Sequence, residues 1–193
     1  MRGMDNRLYT IPNLLTLGRF ILVPFVAWRL LEGDLPGAFV YFVIAAVTDF
    51  FDGYLARLLN QKSALGAWLD PLADKAMLLT VILLLADQGI LPIWLALIVV
   101  LRDVTVLVGA AAWLNLTGHL DVAPTLGGKV ATFAEFVLIS LLLGQHLLSA
   151  EIVSFFPFLI LLTAALASFS GTQYVWRWTL KTRAWLKAHP PSR

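Results

Sequence analysis

The sequence predicts an all-α integral membrane protein: six transmembrane helices forming a single membrane-embedded domain over residues 1–193. Three observations predict it. Hydrophobic residues make up 60% of the chain and charged residues 13%, with a mean hydropathy of +0.83. Water-soluble domains run nearer half apolar and a quarter charged. Six apolar stretches are long enough to cross a bilayer, which takes about 20 helical residues. Lys and Arg gather in alternate connections between those stretches instead of being spread along the chain.

The first span, residues 11–31, follows a basic flank with Arg2 and Arg7. No small-residue cleavage site follows it, so it is expected to be an uncleaved membrane helix rather than a signal peptide. EGDLPG at 32–37 divides it from the second span at 36–58, and NQKSALG at 60–66 leads to the third at 69–88. DQGILP at 87–92 introduces the fourth at 91–114, and NLTGHLDVAPTLGG at 115–128 the fifth at 127–148. The sixth covers 152–176 and is followed by a basic tail, 177–193. Gly, Pro and short polar tracts are the residues that end helices. No segment has the composition of a flexible linker, and none repeats another.

Arg2, Arg7, Arg57, Lys62 and the tail residues Arg177, Lys181, Arg183, Lys187 and Arg193 fall on one side of such a bundle. The other side carries Glu32, Asp34, Asp87 and Glu151, with Arg29 as the exception at the outer end of the first span. Basic flanks stay cytoplasmic, so the protein is expected to be multi-pass with both termini in the cytoplasm. The net charge of +2 and pI near 9.1 therefore indicate a membrane flank, with no nucleic-acid partner expected. With no cysteine there is neither a disulfide nor a thiolate metal site.

The stretch DFFDGYLARLLNQKSALGAWLDPLADK, residues 49–75, places four carboxylates where burial is expensive: Asp49, Asp52, Asp70 and Asp74. A charged side chain at the bilayer centre costs on the order of 3 kcal/mol even on permissive scales. On helices, positions three or four apart share a face, so Asp49 pairs with Asp52 and Asp70 with Asp74. An antiparallel hairpin of the second and third spans brings both faces together. Two divalent cations would offset desolvation and mutual repulsion alike, and oxygen-only ligands suit Mg2+ or Mn2+, or Ca2+. Plainer readings exist. Asp52-Gly53 is a common turn pair, Asp70-Pro71 suits a helix cap with a first-turn proline, and Asp74-Lys75 suits a snorkelling helix end. Capping does not explain Asp49 and Asp52. Gly53, Ala56 and Gly66 remove bulk nearby, for a nucleotide base or for helix packing.

Arg102 and Lys129 lie in the fourth and fifth spans, and an intramembrane ionisable residue is a functional candidate by default. Together they are suited to an acceptor carrying phosphate, although each could instead snorkel to the interface. Asp103 is not expected to neutralise Arg102 fully, because adjacent helix positions point in different directions. Glu135 is a packing partner for either. His119, His146 and His189 are scattered and read as interfacial.

The pattern Asp49-x2-Asp52-Gly53-x2-Ala56-Arg57-x8-Gly66-x3-Asp70-x3-Asp74 resembles the full signature of the CDP-alcohol phosphatidyltransferases. PNLLTLGR at 12–19 and GKVAT at 128–132 are similar to that family's first- and fifth-helix segments. The resemblance implies the CDP-alcohol phosphatidyltransferase fold, with a site in a cavity open to the cytoplasmic leaflet, usually in a homodimer. It implies transfer of a phosphatidyl group from CDP-diacylglycerol to an alcohol, with CMP leaving, in what would be the bacterial inner (cytoplasmic) membrane. By this resemblance Asp49, Asp52 and Asp70 ligate two divalent cations, with Asp74 as general base and further ligand. Gly53, Ala56, Arg57 and Ser63 line the CDP site, joined by Thr16. The chemistry suits these residue types. Metals neutralise a phosphoanhydride, a carboxylate activates a hydroxyl, and arginine suits phosphate. Direct in-line displacement is favoured over a covalent phosphatidyl-enzyme, because no activated Ser or Cys arrangement is visible.

Two acceptors fit. RDVTVLVGAAAW at 102–113, with PTLGGKVATF after it, is more similar to eukaryotic-type cardiolipin synthases, which use phosphatidylglycerol. Those enzymes have Ser-Lys where this chain has Gly128-Lys129. Phosphatidylglycerophosphate synthases, which use glycerol 3-phosphate, typically have Arg-Glu and a further Arg in that region. A cation transporter is the reading from another class, but the outer half of the bundle lacks a polar path.

Overall fold

The computed structural model describes residues 11–58, 64–117 and 125–188; the side chains of 11–16, 50–58, 64–71, 186 and 188 lie outside that description. The described residues contain helices and no strand: α1 (Ile11–Leu31), α2 (Leu35–Leu58), α3 (Ala64–Asp87), α4 (Ile93–Thr117), α5 (Leu126–Leu143), a 3-10 turn (Gln145–Leu147), α6 (Ala150–Ser154) and α7 (Phe156–Ala188). Three of them, among the described residues, are long and apolar enough to cross a membrane: Ile93–Thr117, Leu126–Leu143 and Phe156–Trp185. The chain is an all-α membrane protein, organised as two compact units.

The first unit comprises residues 1–91 and 139–153. α1 ends in a Schellman motif. Gly33 takes φ of +75°, its NH bonds the Leu30 carbonyl, and the Asp34 NH bonds that of Arg29. Asp34 then caps α2, its Oδ1 accepting from the Gly37 NH at 2.9 Å. A Cβ at Gly37 would lie 2.1 Å from Asp34 Oδ2, so any larger residue there would displace the capping carboxylate. Arg29, the basic residue out of place by charge asymmetry, lies beside Glu32 and Asp34 at 3.6 and 3.4 Å. α3 ends the same way at Gly89, φ +71°, and the Gln88 side-chain amide donates to the Leu30 carbonyl at the end of α1. α1 packs on α2 and α3 through Val26, Leu30, Phe42, Met77, Val81 and Leu85, with Ala38, Ala45 and Ala73 allowing close backbone approach.

The second unit comprises residues 92–138 and 154–193. α4 and α7 run parallel, since Arg102 meets Ser170 and, further along both helices, Trp113 meets Trp178. α5 starts with Thr125 as N-cap, its Oγ1 accepting from the Gly128 NH at 2.9 Å. The Thr125 NH donates to the Tyr174 hydroxyl at 3.3 Å. A Cβ at Gly128 would lie 2.9 Å from that hydroxyl, so glycine lets the turn approach Tyr174 closely.

Three boundaries differ from expectation. α3 begins at Ala64, not 69, so Pro71 lies inside the helix and Asp70-Pro71 is not its start. Ala64, Leu65 and Ala67 are strong helix formers that outweigh Gly66. α5 stops at Leu143, where Gly144 gives way to the 3-10 turn. The sixth stretch begins as a short α6, and α7 then continues without a break through Arg177, Lys181, Arg183 and Lys187. The expected tail is thus helical as far as Ala188, since no Pro or Gly interrupts it before Pro190.

Close α4–α7 packing rests on Gly109, where a Cβ would meet Trp178 Nε1 at 2.8 Å and Cδ1 at 2.9 Å. Gly109→Val should destabilise the protein by about 1–3 kcal/mol through overpacking, lowering the thermal midpoint by a few degrees. Gly171→Ala, whose methyl would meet Arg102 Cγ at an ordinary 3.6 Å, should leave the midpoint unchanged. Thermal unfolding of the detergent-solubilised variants checks both.

Candidate active site

In the first unit, α1, α2 and α3 each contribute one charged side chain to a single point. Arg19 of α1 is 2% exposed. Its Nη2 lies 2.5 Å from Asp49 Oδ1 on α2, and its Nη1 lies 2.7 Å from Asp74 Oδ1 on α3. Both carboxylate side chains remain 48% exposed. A buried cation therefore lies behind two half-open acids. Charge-assisted contacts of this length are the stronger class of hydrogen bond, although the exposure of the carboxylates reduces what the pairing adds to stability.

The acids reach this point for reasons of helix register. α2 runs unbroken through Asp52-Gly53, so these residues do not form a turn. Asp52 sits three positions after Asp49 on α2, and Asp70 four before Asp74 on α3. The side chains of Asp52, Asp70, Gly53, Ala56, Arg57 and Thr16 lie outside the described set, as does the whole of Ser63. Among the described residues no cluster of three or more acids or histidines forms an ion cage. The two acids that are described nevertheless fit the expected donor set. They are oxygen-only, they converge from two helices, and they already gather around positive charge.

Sequence reasoning quoted Arg19 within PNLLTLGR but gave it no role. Its signal was an arginine inside an otherwise apolar span. The acids to which it answers lie 30 and 55 positions away in the chain.

A second charged cluster lies inside the second unit. Arg102 is 6% exposed and donates to Asp103 Oδ1 at 2.7 Å, the Gly128 carbonyl at 2.9 Å, Thr132 Oγ1 at 3.3 Å and Ser170 Oγ at 3.3 Å. Glu135 Oε1 stands 3.7 Å away, on a residue 1% exposed. Asp103 meets Arg102 more closely than adjacent helix positions suggest, because the flexible arginine stem brings its guanidinium back to the neighbouring carboxylate, and Glu135 stands beside the pair. Glu135 is a partner of Arg102, as the span-five position suggested. Lys129, next to the Gly128 carbonyl that Arg102 binds, is exposed. His146 packs edge-on against Phe39, with ring centroids 6.0 Å apart.

Known proteins resemble this chain in sequence. The model of the CDP-alcohol phosphatidyltransferase family matches residues 9–178. A CDP-diacylglycerol–glycerol-3-phosphate 3-phosphatidyltransferase from Bacillus subtilis (strain 168) is 36% identical over 167 residues, 78% of this chain and 84% of its own. A putative cardiolipin synthase from Mycobacterium tuberculosis (strain ATCC 25618 / H37Rv) is 38% identical over 143 residues, 73% of this chain and 68% of its own. A cardiolipin synthase (CMP-forming) from Streptomyces coelicolor is 36% identical over 138 residues, 68% of this chain and 64% of its own. With its aspartate signature running from Asp49 on α2 to Asp74 on α3, the chain belongs to the CDP-alcohol phosphatidyltransferase family, a family of membrane-embedded transferases.

Proposed function

We propose that this chain joins CDP-diacylglycerol to phosphatidylglycerol, forming cardiolipin and releasing CMP. The observation that carries the reading is the meeting of Asp49 and Asp74 at the Arg19 guanidinium, which gives the family signature a common point on α2 and α3. Divalent-cation dependence is general in this family. Asp49, Asp52, Asp70 and Asp74 would hold two cations, Mg2+ or Mn2+. When bound, these supply charge neutralisation at the diphosphate.

Asp74 accepts the proton of the attacking hydroxyl. The acceptor oxygen bonds to the phosphorus that carries the diacylglycerol, the phosphoanhydride P–O bond breaks, and CMP leaves. Gly53, Ala56, Arg57, Ser63 and Thr16 line the nucleotide site in this reading, with Arg57 suited to phosphate. Lys129 faces the acceptor phosphate. Arg102 supports that role from within the cluster by holding the Gly128 carbonyl beside Lys129. The protein works as a homodimer, with all six apolar helices spanning the cytoplasmic membrane of a bacterium and both termini in the cytoplasm.

The enclosure of Arg102 favours phosphatidylglycerol. Its charge is already met by Asp103, with Glu135 close by, which leaves Lys129 as the cation offered outward in that cluster. One cation suits a phosphodiester monoanion better than a phosphomonoester dianion. Glycerol 3-phosphate is the second reading, favoured by the identity to the Bacillus subtilis relative.

Purified protein in liposomes with CDP-diacylglycerol should release CMP and form cardiolipin with phosphatidylglycerol. Formation of phosphatidylglycerophosphate from glycerol 3-phosphate alone would transfer the assignment to the second reading. Chelation with EDTA should abolish CMP release, and added Mg2+ or Mn2+ should restore it. Asp74→Asn should cut turnover by roughly 10²–10⁴-fold with little change in CDP-diacylglycerol affinity, as loss of a general base does. Asp49→Asn should weaken both. Steady-state kinetics beside equilibrium binding separates the two roles.

A further inference from the structure

The reaction does not call for Arg19, yet Arg19 is among the most buried charged side chains described and contacts two of the signature acids at 2.5 and 2.7 Å. A cation in that position has two opposed effects. It relieves the repulsion of carboxylates forced together by α2 and α3, and it occupies oxygens that an incoming ion needs. At an effective dielectric near 20, unit charges a few ångströms apart still interact by several RT, so neither effect is small.

We propose that Arg19 is a positioning residue acting as a resident counter-cation: it clamps Asp49 to Asp74 and competes with divalent ions for them. The clamp lets the acidic faces of α2 and α3 stand together before any ion arrives. Ion binding then loosens the guanidinium from at least one carboxylate. The inference rests on the proposed carboxylate–metal reading and adds to it a competitor supplied by α1. The fork of the guanidinium matters, because its two nitrogens address two different helices. Lysine at this position would offer one point of charge in place of two directed donors.

The test uses the full chain in detergent with CMP present. Mn2+ affinity is read by electron paramagnetic resonance of the free ion, and the thermal midpoint is measured in EDTA. Arg19→Gln should bind Mn2+ at least tenfold more tightly than wild type and show a lower midpoint in EDTA, regained on adding Mn2+. Arg19→Lys, which keeps the buried charge, should fold without metal and bind Mn2+ a few-fold more tightly. Unchanged or weaker Mn2+ binding in Arg19→Lys, or in a folded Arg19→Gln, would overturn the competition. Asp52→Asn and Asp70→Asn separate the two layers of the argument. If they leave Mn2+ binding intact while the Arg19 variants alter it, the four-carboxylate reading fails and the clamp on Asp49 and Asp74 stands. If wild type binds no Mn2+, both are lost.

Discussion

Carboxylates placed on two apolar helices repel one another and are poorly solvated, so α2 and α3 can present them side by side only if positive charge lies between. The Arg19 guanidinium supplies that charge from α1, with Asp49 at 2.5 Å and Asp74 at 2.7 Å. Three helices are thereby tied at one height by a contact that is polar at its centre and apolar around it. Val26, Leu30, Met77 and Val81 pack the same helices through dispersion and the exclusion of lipid, which do not fix rotation about a helix axis. The directed ion pairs do fix it, and with it the face on which the signature acids lie.

The second unit solves the same problem differently. Arg102 is satisfied by hydroxyls, a carbonyl and carboxylates drawn from α4, α5 and α7. Here the charge faces no open acid. It binds the start of α5, where Thr125 and Tyr174 hold the first turn from the other side. Lys129 follows directly on this anchored turn and takes its place from it. One arginine thus gathers acids that remain half open, whereas the other is enclosed by its own partners.

Much of this was legible in the sequence, because apolar length and helix-ending residues are local signals. The bounds of α1 and α2 follow from EGDLPG and the run before it, and the structure shows why: Gly33, Asp34 and Gly37 each have a defined backbone task. The expected facing of α2 and α3 acids is met at Asp49 and Asp74. The start of α3 was misplaced because Gly66 and Pro71 are local signals of a connection and a helix start, whereas the helix runs through both. The role of Arg19 and the enclosure of Arg102 were not legible, because each depends on partners brought close only by packing between helices.

The connection between α1 and α2 has a mechanical consequence. Every backbone NH from Glu32 to Ala38, apart from that of Pro36, which has none, is donated within the turn or its caps. No residue there is left to act as a hinge, so the two helices are joined at that end as by a weld.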